Sequence, residues 1–173
     1  MINVNWNDVE EVSFPVAGAY KAKIINVKDV PEREFIVVNF DIADGKFKGY
    51  AQKTYDERGF YPYSMVWSYK KKALWFFKQR KMAVEATNPG FTFQSDPFSL
   101  VGKFCGIVLA DEEYRNSKGE IKKRLYVADV ISGNQYRDGD YEIPALKKLA
   151  TNDAGAPASD FAYLDDDDAQ LPF

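Results

Sequence analysis

The chain has 173 residues, 46% of them hydrophobic, which is enough for one domain with a sizeable core. It has no histidine and one cysteine, which excludes Ser-His-Asp and Cys-His catalysis, zinc sites containing histidine or several cysteines, and an internal disulfide. The net charge of −3 conceals an asymmetry, because residues 151–173 hold six acids and no base, which leaves 20 acids against 23 bases in residues 1–150. A mildly basic body with an acidic terminal segment is typical of a polyanion-binding protein that carries a protein-binding appendage.

The first two predicted strands cover residues 18–27 and 35–42, which are rich in β-branched and aromatic residues. A turn at residues 30–33 joins them. Because side chains alternate along a strand, every second residue from Ile36 to Ile42 is predicted to face the core. Phe35, Val37 and Asn39 are then predicted to face outward.

The middle of the chain is predicted as a hairpin followed by a helix. Asp44 and Gly45 form a strong turn signal, and residues 46–55 alternate as a third strand would. Ser64 is a plausible N-cap for a helix over residues 65–82, whose apolar residues fall on a helical stripe. The sequence at 88–90 ends this helix.

Two more strands are predicted at 100–110 and 125–131, joined by a charged loop at 111–124. Cys105 lies within the apolar run of the fourth strand, where a buried, unreactive thiol is expected. Residues 144–150 are predicted to form one or two terminal helical turns.

Three strands, one helix and two strands form the order of a five-stranded OB-fold barrel, in which the helix lies between strands 3 and 4. This mainly β fold is the expectation for residues 1–150, and an irregular β-sandwich with one helix is the alternative. No apolar run reaches 18 residues, so no membrane-spanning helix is expected. The start of the chain lacks a basic segment followed by an apolar one, which favours a cytoplasmic location.

A single nucleic-acid strand requires cations for its phosphates and flat rings on which its bases stack. An OB fold binds such strands along strands 2 and 3 and between the loops that join strands 1–2 and 4–5. Cations and rings are concentrated in these predicted regions, most clearly on one face of the predicted third strand. The candidate DNA-binding residues are Lys21, Lys23, Phe35, Lys46, Lys48, Tyr50, Gln52, Arg58, Tyr61, Tyr114, Arg115, Lys118, Lys122, Lys123 and Arg124.

Other residues of the same types favour structural roles. Phe40, Trp75, Phe76 and Phe104 are predicted to pack in the interior, since aromatic residues favour strands and cores. The lysine run at 70–72 is predicted to be a solvated helix face. Acidic residues interrupt the cations of the 111–124 loop, so these cations could instead pair locally and contribute little.

Residues 151–164 are small and polar and are predicted to be a flexible linker. The last nine residues combine an acidic run with an apolar end, which favours recognition by another protein through an apolar pocket and basic side chains. The predicted partner-binding residues of this tip are Asp165, Asp166, Asp167, Asp168, Leu171, Pro172 and Phe173.

The tip resembles the acidic end of the bacterial single-stranded-DNA-binding protein family, in which aspartates precede an Ile-Pro-Phe type of ending. Here Ala169 and Gln170 separate the two parts, and Leu171 stands where the family usually has isoleucine. The resemblance implies recruitment of replication, recombination and repair proteins. In architecture, residues 1–150 are similar to the diverged single-stranded-DNA-binding proteins of bacteriophages, which implies a bacterial host cytoplasm if the protein is phage-encoded.

The sequence therefore predicts a non-catalytic protein, without cofactor or metal, that coats single-stranded DNA and recruits partners through its tip. It is expected to be a monomer or a homodimer and not to associate with membranes. The alternative is an OB-like adaptor that binds proteins and no nucleic acid. A nuclease that holds Mg²⁺ with carboxylates alone is a third possibility, because acidic residues are plentiful.

Overall fold

A computed structural model describes residues 2–9 and 13–149 of the chain. The predicted linker at 151–164 and the predicted partner-binding tip at 165–173 lie outside the described residues. The elements in chain order are β1 (Gly18–Val30), β2 (Phe35–Ile42), α1 (Tyr50–Arg58), β3 (Ser64–Ser68), α2 (Leu74–Thr87), β4 (Phe104–Arg115), β5 (Ile121–Ile131) and α3 (Gly133–Asp138). The expected mainly β class is confirmed, but three α-helices accompany the strands instead of one main helix.

The strands form one antiparallel sheet in the order β3-β2-β1-β4-β5, so β3 and β5 are its edge strands. Strand β1 pairs with β2 on one side and with β4 on the other. Its register shifts between Ile24 and Asn26, an irregularity of the kind that bends a strand and increases its twist. Strands β1 and β2 occupy the two segments that the sequence predicts, and β1 continues three residues further, to Val30.

The core lies on the inner side of this sheet. The predicted inward positions in β2 are confirmed, because Ile36, Val38 and Phe40 are fully buried and join the core cluster. The alternation ends after Val38, since Asn39, which was predicted to face outward, is also buried. Trp67 of β3 is also fully buried, and its ring meets that of Phe77 from α2 edge-on, at 5.6 Å between centroids. Burying a large apolar side chain contributes about 1.5–3 kcal/mol, so these alternating positions stabilise the fold.

The prediction of a third strand at residues 46–55 is wrong. A turn at 44–49 leads into helix α1, and Gly45 and Gly49 take the left-handed conformation, with φ of 77° and 78°. The buried carboxylate of Asp41 at the end of β2 accepts hydrogen bonds from the backbone N–H groups of Ala51 and Gln52. This acceptor holds the first turn of α1 against the sheet. The alternating face assigned to Lys46, Lys48, Tyr50 and Gln52 therefore does not exist.

The predicted start of the main helix is also wrong. Residues Ser64–Ser68 form β3, which pairs with β2, and a 3-10 turn at Lys71–Ala73 precedes α2. The lysine run predicted as a solvated helix face lies in and next to this turn, where Lys71 and Lys72 are exposed. Tertiary pairing with β2 gives residues 64–68 an extended backbone instead of the predicted helix.

Helix α2 lies beside both edge strands. Its buried Arg80 directs Nη1 to the carbonyl oxygen of Val66 in β3, at 3.5 Å. Burial lowers the pKa of the Arg80 guanidinium to about 10, and the carboxylate of Asp129 in β5 opposes this shift. The helix thus links the two ends of the open sheet.

None of the described helices is long and apolar enough to cross a lipid bilayer.

Strands β4 and β5 are longer than predicted and form one extended hairpin. Their ladder continues through Arg115 and Ile121, so most of the predicted 111–124 loop belongs to the strands. The terminal helical turns predicted at 144–150 are absent from residues 144–149, where Lys147 instead forms a parallel bridge with Glu112. Within the described residues, α3 is the final helix, and Ser132 at its N-cap forms a capping box with Gln135.

Candidate nucleic-acid interface

The outward side of β1, β2 and β3 carries a row of half-exposed side chains. Lys28, Val37 and Val66 are register partners across the three strands, so they share one face of the sheet. In the next row, Val30 is the partner of Phe35. These residues are half-buried except Lys28, which is exposed, and this surface is called the strand face below.

Phe35 is the predicted ring on this face, and a cation lies over it. The connection between β1 and β2 is a 3-10 turn, Pro31–Arg33, followed by Glu34 in the left-handed conformation with φ of 57°. This turn brings the guanidinium carbon of Arg33 to 5.5 Å from the centroid of the Phe35 ring. A guanidinium at this distance is attracted by the ring and also presents charge beside it.

The β4–β5 hairpin carries a second pair of the same kind. Register places Tyr114 and Arg124 in adjacent rows on one face of the ladder, and the guanidinium carbon of Arg124 lies 4.7 Å from the Tyr114 ring centroid. Arg124 also donates from Nε to Glu112 at 2.8 Å. The predicted ring and the predicted cation are therefore brought together, with an acidic residue beside them.

The other predicted hairpin cations have local partners or are simply exposed. Lys122 pairs with Glu120 at 3.3 Å, and Arg115 donates to the carbonyl oxygen of Gly119 at 2.9 Å. Lys118 and Lys123 are exposed. Exposed ion pairs of this type contribute little to stability, so another anion can compete with the acidic partner for the cation.

Lys21 and Lys23 of β1 lie on the same outward face. The Nζ of Lys23 lies 5.9 Å from the ring centroid of Phe104, which is its register partner on β4. Lys21 pairs with Asp44 at 3.2 Å, and its Nζ lies 5.9 Å from the ring of Tyr136. Because Tyr136 belongs to α3, this helix packs against the outward face at Lys21.

The predicted residues around α1 divide into two groups. Tyr50 is half-buried, packs against the core and stacks on the buried Tyr63 at 6.1 Å, so its ring has a packing role. Lys46, Lys48 and Gln52 are exposed on the turn and the first turn of α1, and the side-chain amide of Gln52 donates to Asp56.

Arg58 and Tyr61 belong to an exposed aromatic cluster at the end of α1. The rings of Tyr55 and Tyr61 are nearly parallel, 4.2 Å apart, and the guanidinium carbon of Arg58 lies 5.7 Å from the Phe60 ring. Burial raises the pKa of the Tyr61 hydroxyl, and Tyr55 and Asp56 add to this shift.

Sequence reasoning missed part of this surface. Phe104 was expected to pack in the interior but is 48% exposed, and Trp75 and Phe76 are also exposed, whereas Phe40 is buried as predicted. Arg33 and Lys28 were not selected. In both Arg33-x-Phe35 and Arg58-x-Phe60 the middle residue, Glu34 or Gly59, takes the left-handed conformation and turns the chain so that the cation meets the ring.

A groove beside this surface holds one further pair of a cation and a ring. An open groove of about 530 Å³ lies between the end of α2 and the start of β4, where Lys103 Nζ is 4.7 Å from the Phe91 ring.

Within residues 2–9 and 13–149, no group of three or more acidic, cysteine or histidine side chains is arranged to hold a metal ion.

Comparison with known proteins gives no family assignment. The sequence matches no protein-family model, and no curated protein matches it.

Proposed function

We propose that this protein is a non-catalytic single-stranded-DNA-binding protein that coats DNA in replication, recombination or repair. The observation that carries the proposal is the pairing of a cation with an exposed or half-exposed ring in both the β1–β2 connection and the β4–β5 hairpin. Arg33 lies 5.5 Å from Phe35, and Arg124 lies 4.7 Å from Tyr114. Each pair offers a ring for a base and a charge for the adjacent phosphate.

The fold supports this proposal through its order of elements. The sheet has five strands, and α2 lies between β3 and β4, the position that the helix occupies in an OB fold. The two edge strands β3 and β5 are the ones that would meet if such a sheet closed into a barrel. We therefore propose an OB-type domain, for which β2, β3 and the β1–β2 and β4–β5 connections form the usual binding surface.

On this surface, each side chain has a distinct task. Phe35 stacks against one base, while Val37 and Val66 provide an apolar floor next to it. Arg33 and Lys28 neutralise phosphates. Tyr114 and Arg124 repeat this arrangement on the hairpin, without base-specific contacts, so binding should tolerate most sequences.

The acidic tip completes the proposal on sequence grounds. Asp165, Phe173 and the residues between them would recruit replication or recombination proteins, as the resemblance implies. The tip would also compete with DNA for the cations of the strand face. Removal of residues 165–173 should therefore tighten DNA binding, most clearly at low salt, whereas equal affinities at every ionic strength would contradict this competition.

Fluorescence anisotropy with labelled oligo-dT tests the proposal. Neutralisation of about four phosphates predicts that log affinity falls with log salt concentration with a slope of about −3. Phe35→Ala and Tyr114→Ala should each weaken binding by about 5- to 150-fold, because loss of a stacking ring costs about 1–3 kcal/mol.

Phe98→Ala is the matched control, since Phe98 is an exposed ring on the separate 3-10 turn Pro97–Leu100. It should leave the affinity unchanged. The protein-binding adaptor would show only weak binding that unlabelled single strands do not displace, and this result would refute the proposal. Degradation of the labelled strand only after Mg²⁺ is added would instead identify a nuclease.

A further inference from the structure

Helix α2 is apolar on two opposite sides. Its inner side buries Phe77 and Val84 in the core, while Leu74, Trp75 and Met82 lie outside and are 48%, 63% and 48% exposed. Positions 74, 75, 78 and 82 lie on one side of an ideal helix, and we call them the α2 stripe. Lys78 is the one charged residue of the stripe, and the three large apolar side chains exposed beside it form a patch of the kind that marks an interaction surface.

The start of the chain exposes apolar side chains that match this stripe. Residues 2–9 and 13–16, called the arm below, expose six large apolar side chains. Trp6 is 73% exposed, Phe14 63% and Val16 66%. Clustered exposed apolar residues of this size are uncommon in a monomer and mark interaction surfaces.

In sequence, the two segments that contain these surfaces also carry opposite charges. Residues 1–20 contain Asp8, Glu10 and Glu11 and no lysine or arginine. Residues 70–82 contain six lysines and arginines and no acidic residue. Of these cations, Lys71, Lys72 and Lys78 are exposed beside or within the α2 stripe. Opposite charges around two apolar surfaces favour their association and fix its orientation.

We propose that the arm of one copy docks on the α2 stripe of a second copy. Since the two surfaces belong to the same chain, two copies can exchange arms, and the resulting two-fold dimer makes each contact twice. Nine large apolar side chains, each roughly half exposed or more, present on the order of 1,000 Å² per contact, and two such contacts reach the size of a specific interface. Leu74 and Met82 have no flat surface for a base, which favours a protein occupant over DNA.

Sedimentation of the full chain without DNA tests this proposal. Trp6→Asp disables the arm, and Trp75→Asp disables the stripe. Each variant alone should lose the dimer, with dimerisation weakened by at least about 30-fold, because a buried tryptophan anchor commonly dominates an interface. An equal mixture of the two variants keeps one intact arm and one intact stripe, so it should recover a heterodimer that is weaker than the wild-type dimer.

Phe98→Asp is the control, since it places the same charge at another exposed ring and should leave the dimer intact. Circular dichroism should confirm that all three variants retain the fold, because the substituted side chains are exposed. A wild-type chain that stays monomeric, a Trp6→Asp variant of wild-type mass, or a mixture that recovers no dimer would each overturn the proposal. So would a Trp75→Asp variant that keeps its mass but loses oligo-dT binding, which would identify the stripe as a DNA surface.

Discussion

Replacement of Asp41 by alanine removes the contact that joins helix α1 to the sheet. Asp41 is only 6% exposed, and its Oδ1 accepts hydrogen bonds from the N–H groups of Ile42 and Ala51, both at 2.8 Å. Its Oδ2 accepts from Gln52 at 3.2 Å. The residue at the N-cap position itself is Gly49, which has no side chain to do this. Asp41 therefore caps α1 from ten residues upstream of Ala51.

The expected cost follows from these bonds. Loss of a capping side chain costs about 1 kcal/mol, and each buried N–H left without an acceptor costs about 1–3 kcal/mol. Asp41→Ala deprives Ile42 and Ala51 of an acceptor in a buried environment, so the free energy of unfolding should fall by about 3 kcal/mol. Asp41→Asn keeps one acceptor oxygen and should lose about 1 kcal/mol.

Urea unfolding measures this difference. Of the three tryptophans, Trp67 is fully buried whereas Trp6 and Trp75 are exposed, so the shift in tryptophan emission reports on the core. Asp44→Ala is the matched control, because Asp44 is exposed and forms only a surface ion pair with Lys21. The control should change stability by less than about 1 kcal/mol. Equal urea midpoints for Asp41→Ala and the wild type would refute the capping role.

Two further expectations concern buried groups. Burial would raise the pKa of the Glu85 carboxyl, but hydrogen bonds from the Phe93 N–H and from Lys81 outweigh it and lower the pKa below its ordinary value. The stabilisation that these hydrogen bonds give to the folded protein is complete above the pKa that Glu85 has in the unfolded chain. It is lost as the pH falls through the lower pKa of Glu85 in the folded protein, so Glu85→Gln should be destabilised most at neutral pH. Urea unfolding at pH 7 and below pH 4.5 checks this, and a pH-independent difference would contradict it. Burial raises the pKa of Cys105 to about 12, so a thiol reagent at pH 8 should modify only the unfolded chain, and rapid modification of the native protein would disprove this.

Local sequence patterns predicted the structure correctly where the residue preferences of a segment and its pairing in the sheet favour the same conformation. Strand β2 lies at the predicted residues because its apolar alternation and its β-branched content both favour an extended chain. Cys105 is buried as expected, because the run around it is apolar over more than one period. In such segments, the side chains alone determine which face is inside.

The predictions of a third strand at 46–55 and of a helix start at Ser64 were wrong because residues distant in sequence determine the conformation of both segments. Residues 46–55 alternate as a strand does, but the acceptor that starts α1 is Asp41, and no signal near residue 50 indicates it. Ser64 has the composition of an N-cap, yet it pairs with Asn39 of β2 as an edge-strand residue. Both errors have one cause. Only one of the segments 46–55 and 64–68 can pair with the edge of β2, and the sequence pattern does not indicate which one does.

Part of the candidate interface could be predicted from the sequence. Phe35 could be selected from its predicted outward position alone, whereas the cation over its ring depends on the 3-10 turn and the left-handed Glu34 that bring Arg33 to it. The hairpin cations were predicted from the sequence, and the structure shows which of them pair locally, since Glu112 holds Arg124 and Glu120 holds Lys122. DNA must compete with these acids for each guanidinium or ammonium group, so not every predicted cation can release a counterion. A salt slope near −3 is therefore the expected result, and a slope matching all the candidate cations would require the hairpin pairs to open.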